Sequence, residues 1–238
     1  MRALGIDLAT EAKKTGVVVA EVDEGGRAVA HRVSEVANDD LLVALAREVD
    51  VIGVDAPFGW PVGFTDALAS HGAGRGWPPG EDRTRLRHRE TDRAVHAATG
   101  IWPLSVSTDK LGATAMRCAH LQSRWADEVW DGVAAPRDGS GRLVEVYPAA
   151  TLKTLGLPYQ SYKGADGVEQ RRVILAGLGS WVDVADVYEA SLASDDVLDA
   201  VVAALTACAA ATGSTRQPLD GAERSAALIE GWIHIQVS

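Results

Sequence analysis

The chain has 238 residues, 47% of them hydrophobic, and carries a formal net charge of −10. Its length fits one large α/β domain or one domain with an insertion, its composition argues against disorder, and no apolar run has the about 20 residues of a membrane span. The acidic charge argues against a protein that coats a long duplex, since such proteins usually present a basic face to the phosphates.

Short strands are the main feature of the first 55 residues. Alternating and β-branched apolar residues predict strands, and a helical spacing of leucines begins after Asn38 or Asp39, either of which can act as N-cap. The predicted elements are strands over 2–7, 15–22 and 27–34, with a hairpin turn over 23–26, then a helix over 39–48 and a buried parallel strand over 51–55. This β-β-β-α-β order is the first half of a ribonuclease-H-like α/β fold.

The pattern changes between residues 56 and 142. Prolines and glycines interrupt the chain there, and the one long helical pattern spans 112–130. We interpret 56–142 as an inserted capping region between the fourth and fifth core strands of a single ribonuclease-H-like domain over 1–238. The later elements complete a mixed sheet in β-β-β-α-β-α-β-α order: a strand over 143–148, helices over 149–155, 170–178 and 195–211, and a terminal strand over 232–235.

Acidic residues stand in or at the ends of several predicted core strands. Asp7, Asp55 and Glu145 belong to three different strands. One strand-end aspartate is equally well explained by turn formation, but the carboxyl ends of adjacent strands converge on one crevice, where unpaired carboxylates are costly. Asp196 and Asp199 share one face of the helix over 195–211. The helix dipole explains Asp196 well and Asp199 less well.

A cluster of this kind needs cations, because like charges held close together repel one another. Carboxylate oxygens suit Mg²⁺ or Mn²⁺, and two such ions about 3.5–4 Å apart can activate a water and stabilise the leaving oxygen of a phosphodiester. We therefore expect Asp7, Asp55, Glu145, Asp196 and Asp199 to be metal ligands and catalytic residues of a two-metal hydrolase. The sequence leaves open which of Asp196 and Asp199 points inward.

Four short segments together resemble a known family. They are GIDLAT at 5–10, VDAPFG at 54–59, VEVYP at 144–148 and DDVLDA at 195–200, and RETDR at 89–93 and GWI at 231–233 also fit. In this order they resemble the DUF429 family, a group predicted to be nucleases of ribonuclease H fold, over essentially the whole chain. The resemblance implies a ribonuclease-H-like core and a metal-dependent nuclease site at the acidic residues of these segments.

Basic side chains supply the candidates for substrate contact, since arginine forks match phosphate geometry. The candidates are Arg85, Arg87, Arg89, Arg93 and Lys110. Acidic residues such as Glu90 and Asp92 lie among them, so any single arginine is also explained by a solvated helix face. The cluster as a whole favours a phosphate-binding role, with a nucleic acid or another phosphoester as substrate.

Two other functions remain open. GIDLAT also resembles the first phosphate loop of actin-like and sugar-kinase-like proteins, which predicts nucleotide binding or phosphotransfer, although no second copy of the fold and no adenosine-binding motif is visible. A non-catalytic ribonuclease-H-like binding scaffold is the third alternative. An exposed terminal strand near Trp232, or the inserted region, could support a homodimer.

The sequence also bears on the compartment of the protein. The chain lacks the basic and apolar segments of a secretory signal, and Cys118 and Cys208 belong to no CxxC pair. We expect two buried free thiols in a reducing compartment rather than a disulfide or metal site, and hence a cytoplasmic protein without membrane association.

Overall fold

The computed structural model describes residues 1–23, 25, 27–34, 36–77, 83–107 and 109–236. Within them seven strands form one mixed sheet in the order β6-β3-β2-β1-β4-β5-β7. The strands are β1 (Arg2–Asp7), β2 (Gly16–Val22), β3 (Ala28–Arg32), β4 (Val51–Asp55), β5 (Leu143–Val146), β6 (Val182–Asp183) and β7 (Ile233–His234). Strands β1, β2 and β3 pair antiparallel, whereas β4 pairs parallel with both β1 and β5.

The same part of the chain contains ten α-helices and two short 3₁₀ helices. The α-helices are α1 (Asp39–Ala46), α2 (Val62–Gly72), α3 (Arg83–Arg87), α4 (Glu90–Thr99), α5 (Asp109–Val129), α6 (Pro148–Thr154), α7 (Val168–Leu178), α8 (Tyr188–Ala193), α9 (Asp195–Ala211) and α10 (Gly221–Glu230). The fold is thus mixed α/β. None of these helices combines the length and apolarity needed to cross a membrane.

Helices cover both faces of the central strands. Side chains alternate along a strand, so Leu4 and Ile6 of β1 face one side and Ala3 the other. Leu4 and Ile6 belong to a buried cluster that includes Leu121 and Trp125 of α5. On the opposite face, Ala3 packs in a cluster with small residues of α9. Helix α5 is therefore part of the core, although it comes from the region predicted to be an insertion.

Most predicted elements agree with the structure. The bounds of β1, β4 and α9 are those expected, and the side chain of Asn38 caps α1 by accepting from the Leu41 amide. The predicted hairpin turn includes Glu24 and Gly26, which lie outside the described residues. Strand β6 and helices α8 and α10 were not predicted. Both cysteines are buried and free.

The expectation of an exposed strand near Trp232 was wrong. Trp232 is 0% exposed, and its indole nitrogen donates to the Arg216 carbonyl oxygen at 2.9 Å. Strand β7 pairs with β5 on one side, and an antiparallel bridge joins Gln236 to Thr215. The apolar ending of the chain is explained by burial at the sheet edge, which removes it as an argument for a homodimer.

Candidate metal centre

Two carboxylates leave the sheet side by side. Asp7 ends β1 and Asp55 ends β4, and they are register partners in the parallel pairing of these strands. The residues before them are apolar and fully buried, so each strand enters the core and ends on a polar residue at its rim. Asp7 and Asp55 are both half-buried. The sheet topology alone therefore brings them together.

Helix α9 adds a third carboxylate because it lies unusually close to the sheet. A Cβ atom on Gly5 would overlap the Ala200 carbonyl oxygen, and one on Gly53 would overlap that of Ala203. A Cβ on Gly16 would likewise overlap the Asp196 carbonyl oxygen. Glycines on three neighbouring strands thus allow backbone contact with α9.

The close approach of α9 sets Asp199 against the ends of β1 and β4. Asp199 is 0% exposed, and one carboxylate oxygen from each of Asp7, Asp55 and Asp199 lies within 4.8 Å of the others. We call these three residues the carboxylate triad. Three hard oxygen donors at this separation could hold a metal ion, of the kind that prefers carboxylates.

Burial and mutual repulsion disfavour the ionised triad. Burial, followed by the charges of Asp199 and Asp55, raises the pKa of Asp7 well above its ordinary value. Burial and the charge of Asp199 raise the pKa of Asp55 to about 7, and Lys163 opposes this shift. Burial also raises the pKa of Asp199. A cation bound between the three would offset both the burial and the repulsion that cause these shifts.

Tyr162 and Lys163 contact the buried member of the triad. The Tyr162 hydroxyl donates to Asp199 Oδ1 at 2.9 Å, and Lys163 Nζ lies 2.7 Å from Asp199 Oδ2. At this distance the ammonium and the carboxylate oxygen form a close ion pair. Neither Tyr162 nor Lys163 was singled out in the sequence. They follow a loop without a motif, and only the fold connects them to Asp199.

Glu145 does not join the triad. Arg89 binds both of its carboxylate oxygens, with Nη1 2.9 Å from Oε2 and Nη2 2.7 Å from Oε1. The Phe58 amide also donates to Oε2 at 3.0 Å, and Arg89 makes a second ion pair with Asp92 at 2.9 Å. All of these side chains are buried. The charge of Glu145 still reaches Asp55, whose pKa it raises.

Asp196, the other helix candidate, lies beside the triad rather than in it. It is half-buried, and its backbone amide donates to the N-cap side chain of Ser194. Its charge contributes to the raised pKa of Asp7, but its carboxylate is not among the oxygens that approach within 4.8 Å. Between the two candidates on α9, it is Asp199 that faces Asp7 and Asp55.

The predicted substrate-binding residues are spread over different environments. Arg89 is buried against Glu145 and lines a cavity that Asp7 and Asp55 also line. Arg93 pairs with Glu90 and is half-buried. Arg85 and Arg87 on α3 and Lys110 on α5 are exposed. The structure therefore separates Arg89, a structural ion-pair partner, from the cations that remain in contact with solvent.

A cavity of about 380 Å³ opens onto two members of the triad, Asp7 and Asp55. Asp7, Asp55 and Lys163 line its polar side. Apolar residues from the region predicted to cap the site line the other side, among them Pro103 and Leu104, and Leu104 is 55% exposed at the rim. This is the shape of a small-ligand site, apolar with a few convergent charged groups.

The fold and the site define a mixed α/β protein with a buried carboxylate cluster at the carboxyl ends of two parallel strands. Residues 5–224 match the model of the family described as "Protein of unknown function (DUF429)". This match covers most of the chain, which therefore belongs to the DUF429 family, as the four segments predict. No curated protein and no solved structure matches the chain.

Proposed function

We propose that the protein is a metal-dependent phosphodiesterase, a nuclease of ribonuclease-H-like fold, that binds Mg²⁺ or Mn²⁺ through Asp7, Asp55 and Asp199. The observation that carries this proposal is the convergence of three carboxylates within 4.8 Å, two of which line a cavity. The strand order supports the fold assignment, because an antiparallel β1–β2–β3 unit is followed by parallel β4 and β5.

The residues of the site fit a hard divalent cation. Their donors are all oxygens, they are held on rigid strands and a helix, and burial together with repulsion makes their common ionisation unfavourable without a positive charge. When bound, such a cation lowers the pKa of a coordinated water and polarises a phosphoryl oxygen. The triad would hold the cation beside the apolar wall of the cavity.

One cation follows more directly from this geometry than two. A second ion in the manner of a two-metal hydrolase would use Glu145, and both oxygens of Glu145 are bound by Arg89. The triad would therefore hold one ion, and a second ion would require Glu145 to exchange Arg89 for a metal. Arg85 and Arg87 are the exposed cations proposed to contact an anionic substrate.

The test is cleavage by the purified protein in MnCl₂ or MgCl₂. The substrates are single-stranded, duplex and branched DNA, RNA, and a small chromogenic phosphodiester that requires no nucleic-acid recognition. We expect Asp7→Asn to abolish metal-dependent cleavage while circular dichroism stays unchanged. The matched control is Asp127→Asn, an exposed aspartate on α5.

Two results would contradict the proposal. One is the absence of metal-dependent cleavage across all of these substrates. The other is cleavage that survives Asp7→Asn, since a contaminating nuclease would then explain the activity. Saturable ATP binding without cleavage would instead favour the actin-like or sugar-kinase-like alternative.

A further inference from the structure

Among the described residues, Lys163 is the cation that pairs with a member of the triad. Its ammonium lies 2.7 Å from Asp199 Oδ2, and its charge lowers the pKa of both Asp7 and Asp55 while their neighbours raise it. It lines the same cavity as Asp7 and Asp55. Among the described residues, this one ammonium pairs with a member of the triad, and it does so through Asp199.

The backbone around Lys163 is fixed, whereas its side chain can move. Arg171 is 1% exposed and donates to the carbonyl oxygens of Tyr162, at 2.5 Å, and Gly164, at 2.8 Å. The Gly164 amide donates to Asp195 Oδ1 at 3.0 Å. The Lys163 side chain itself is 56% exposed, and it can leave Asp199 by rotation about its own bonds.

We propose that Lys163 is a built-in competitor for the metal ion, paired with Asp199 in the metal-free protein and displaced into the cavity when a divalent cation binds. The inference rests on the metal centre of the proposed function and does not depend on phosphodiester hydrolysis. Asp199 Oδ2 is the contested atom. It is buried, and among the described cations only the Lys163 ammonium reaches it.

Competition and structural support make opposite predictions for removal of the ammonium. If Lys163 competes, then its loss leaves the triad with more negative charge and no occupant, and the metal binds more tightly. If Lys163 merely holds the site together, then its loss disorders Asp199, and the metal binds more weakly. The sign of the change in metal affinity therefore decides between the two roles.

The first experiment is calorimetric titration of the wild-type protein, Lys163→Met and Lys163→Arg with MnCl₂. We expect Lys163→Met to lower the Kd for Mn²⁺ at least about tenfold, as removal of a nearby unit charge predicts. Lys163→Arg keeps the charge and should retain a Kd close to that of the wild type. The matched control is Lys153→Met, because the Lys153 ammonium lies over the Tyr159 ring instead.

Three outcomes decide the matter. Tighter binding by Lys163→Met, including binding by this variant when the wild type binds no Mn²⁺, supports competition. Equal or weaker binding by Lys163→Met, or no binding by either protein, overturns it. Lys163→Met could bind Mn²⁺ more tightly while the wild-type protein cleaves none of the substrates. That result overturns the proposed nuclease function and leaves the competition established.

A second experiment uses the wild-type protein alone, and so does not depend on the folding of a variant. Lysine acylation by a water-soluble ester is followed by peptide mass spectrometry, with and without saturating MnCl₂. Displacement from Asp199 should make Lys163 react several-fold faster when Mn²⁺ is bound, whereas Lys13, which is 68% exposed, serves as the internal reference. An unchanged or slower reaction of Lys163 in saturating Mn²⁺ overturns the proposal.

Discussion

Asp7 and Asp55 are register partners of two parallel strands, and their carboxylates reach the same edge of the sheet. Among the described residues neither carboxylate has an ion-pair partner. The carboxylate of Asp199, which carries the same charge, approaches both. Burial and repulsion raise the pKa of each, that of Asp55 to about 7. Without a bound cation, the folded protein is therefore destabilised by the charges that the proposed function requires.

This relationship predicts how Asp55→Asn changes the pH dependence of stability. The pKa of Asp55 is higher in the folded protein than in the unfolded chain, so the folded state holds the proton more tightly. The resulting stability is fully present below about pH 4 and is lost as the pH rises to about 7. Asparagine carries no such charge. In EDTA at pH 8, Asp55→Asn should therefore have a free energy of unfolding roughly 1–3 kcal/mol above that of the wild type.

Urea unfolding in EDTA at pH 4 and pH 8 measures this effect. The advantage of Asp55→Asn should disappear at pH 4, where the wild-type carboxyl is protonated. Saturating MnCl₂ at pH 8 should stabilise the wild type and leave the variant unchanged. An equal pH dependence in the two proteins would show that Asp55 ionises as freely when folded as when unfolded. The exposed Asp127→Asn serves as the control.

The contact between Gly5 and α9 gives a second prediction. A Cβ on Gly5 would overlap backbone and side-chain atoms of Ala200 and Ala204, so α9 would have to move away from the sheet. We expect Gly5→Ala to reduce the free energy of unfolding by about 2–4 kcal/mol and to weaken Mn²⁺ binding, because Asp199 moves with the helix. Urea unfolding and calorimetric titration measure the two effects.

Gly112 offers a matched control for this substitution. It lies in α5, and a Cβ there meets nothing within 4 Å. Gly112→Ala should stabilise the protein by about 0.5–1 kcal/mol, as expected for alanine in an exposed helix, and leave metal affinity unchanged. A Gly5→Ala variant as stable as the wild type would show that the close approach of α9 is not needed for the fold.

The sequence predicts the strands and α9 well because their local signals are strong. Apolar runs end in Asp7 and Asp55, and Ser194 precedes a long alanine-rich helix. Local signals could not reveal the pairing of Glu145 with Arg89, since these residues are 56 positions apart. Lys163 could not be predicted for the same reason. Its ion pair with Asp199 forms only when the loop after α6 folds back against α9.

The pairing of Glu145 with Arg89 predicts that Glu145→Gln mainly affects stability. Removal of the Glu145 charge leaves the buried Arg89 with Asp92 as its remaining ion-pair partner. Breaking a buried ion pair in this way should reduce the free energy of unfolding by about 3 kcal/mol or more. The change in Mn²⁺ affinity should be much smaller than for Asp199→Asn, because Glu145 is outside the triad.

Urea unfolding and Mn²⁺ titration of Glu145→Gln distinguish a structural role from a ligand role. Glu169→Gln is the matched control, since the Glu169 side chain is 78% exposed. Loss of Mn²⁺ binding with unchanged stability would identify Glu145 as a metal ligand. That result would also restore the two-ion mechanism expected from the sequence.

Tyr162 gives the final prediction, through its hydrogen bond to Asp199. Burial, together with the adjacent negative charge of Asp199, raises the pKa of Tyr162 above its ordinary value. The hydroxyl therefore stays protonated and donates a hydrogen bond to Asp199 Oδ1. Tyr162→Phe removes a bond to a buried carboxylate and should cost about 1.5–3 kcal/mol of unfolding free energy at pH 8. It should also raise the Kd for Mn²⁺, because the hydroxyl fixes the orientation of Asp199. Tyr188→Phe is the control, since among the described residues the Tyr188 hydroxyl accepts a hydrogen bond from the exposed Arg172 and makes none to the triad. A Tyr162→Phe variant with reduced stability but unchanged Mn²⁺ affinity would contradict the positioning role, because Asp199 would then reach the ion without the help of Tyr162.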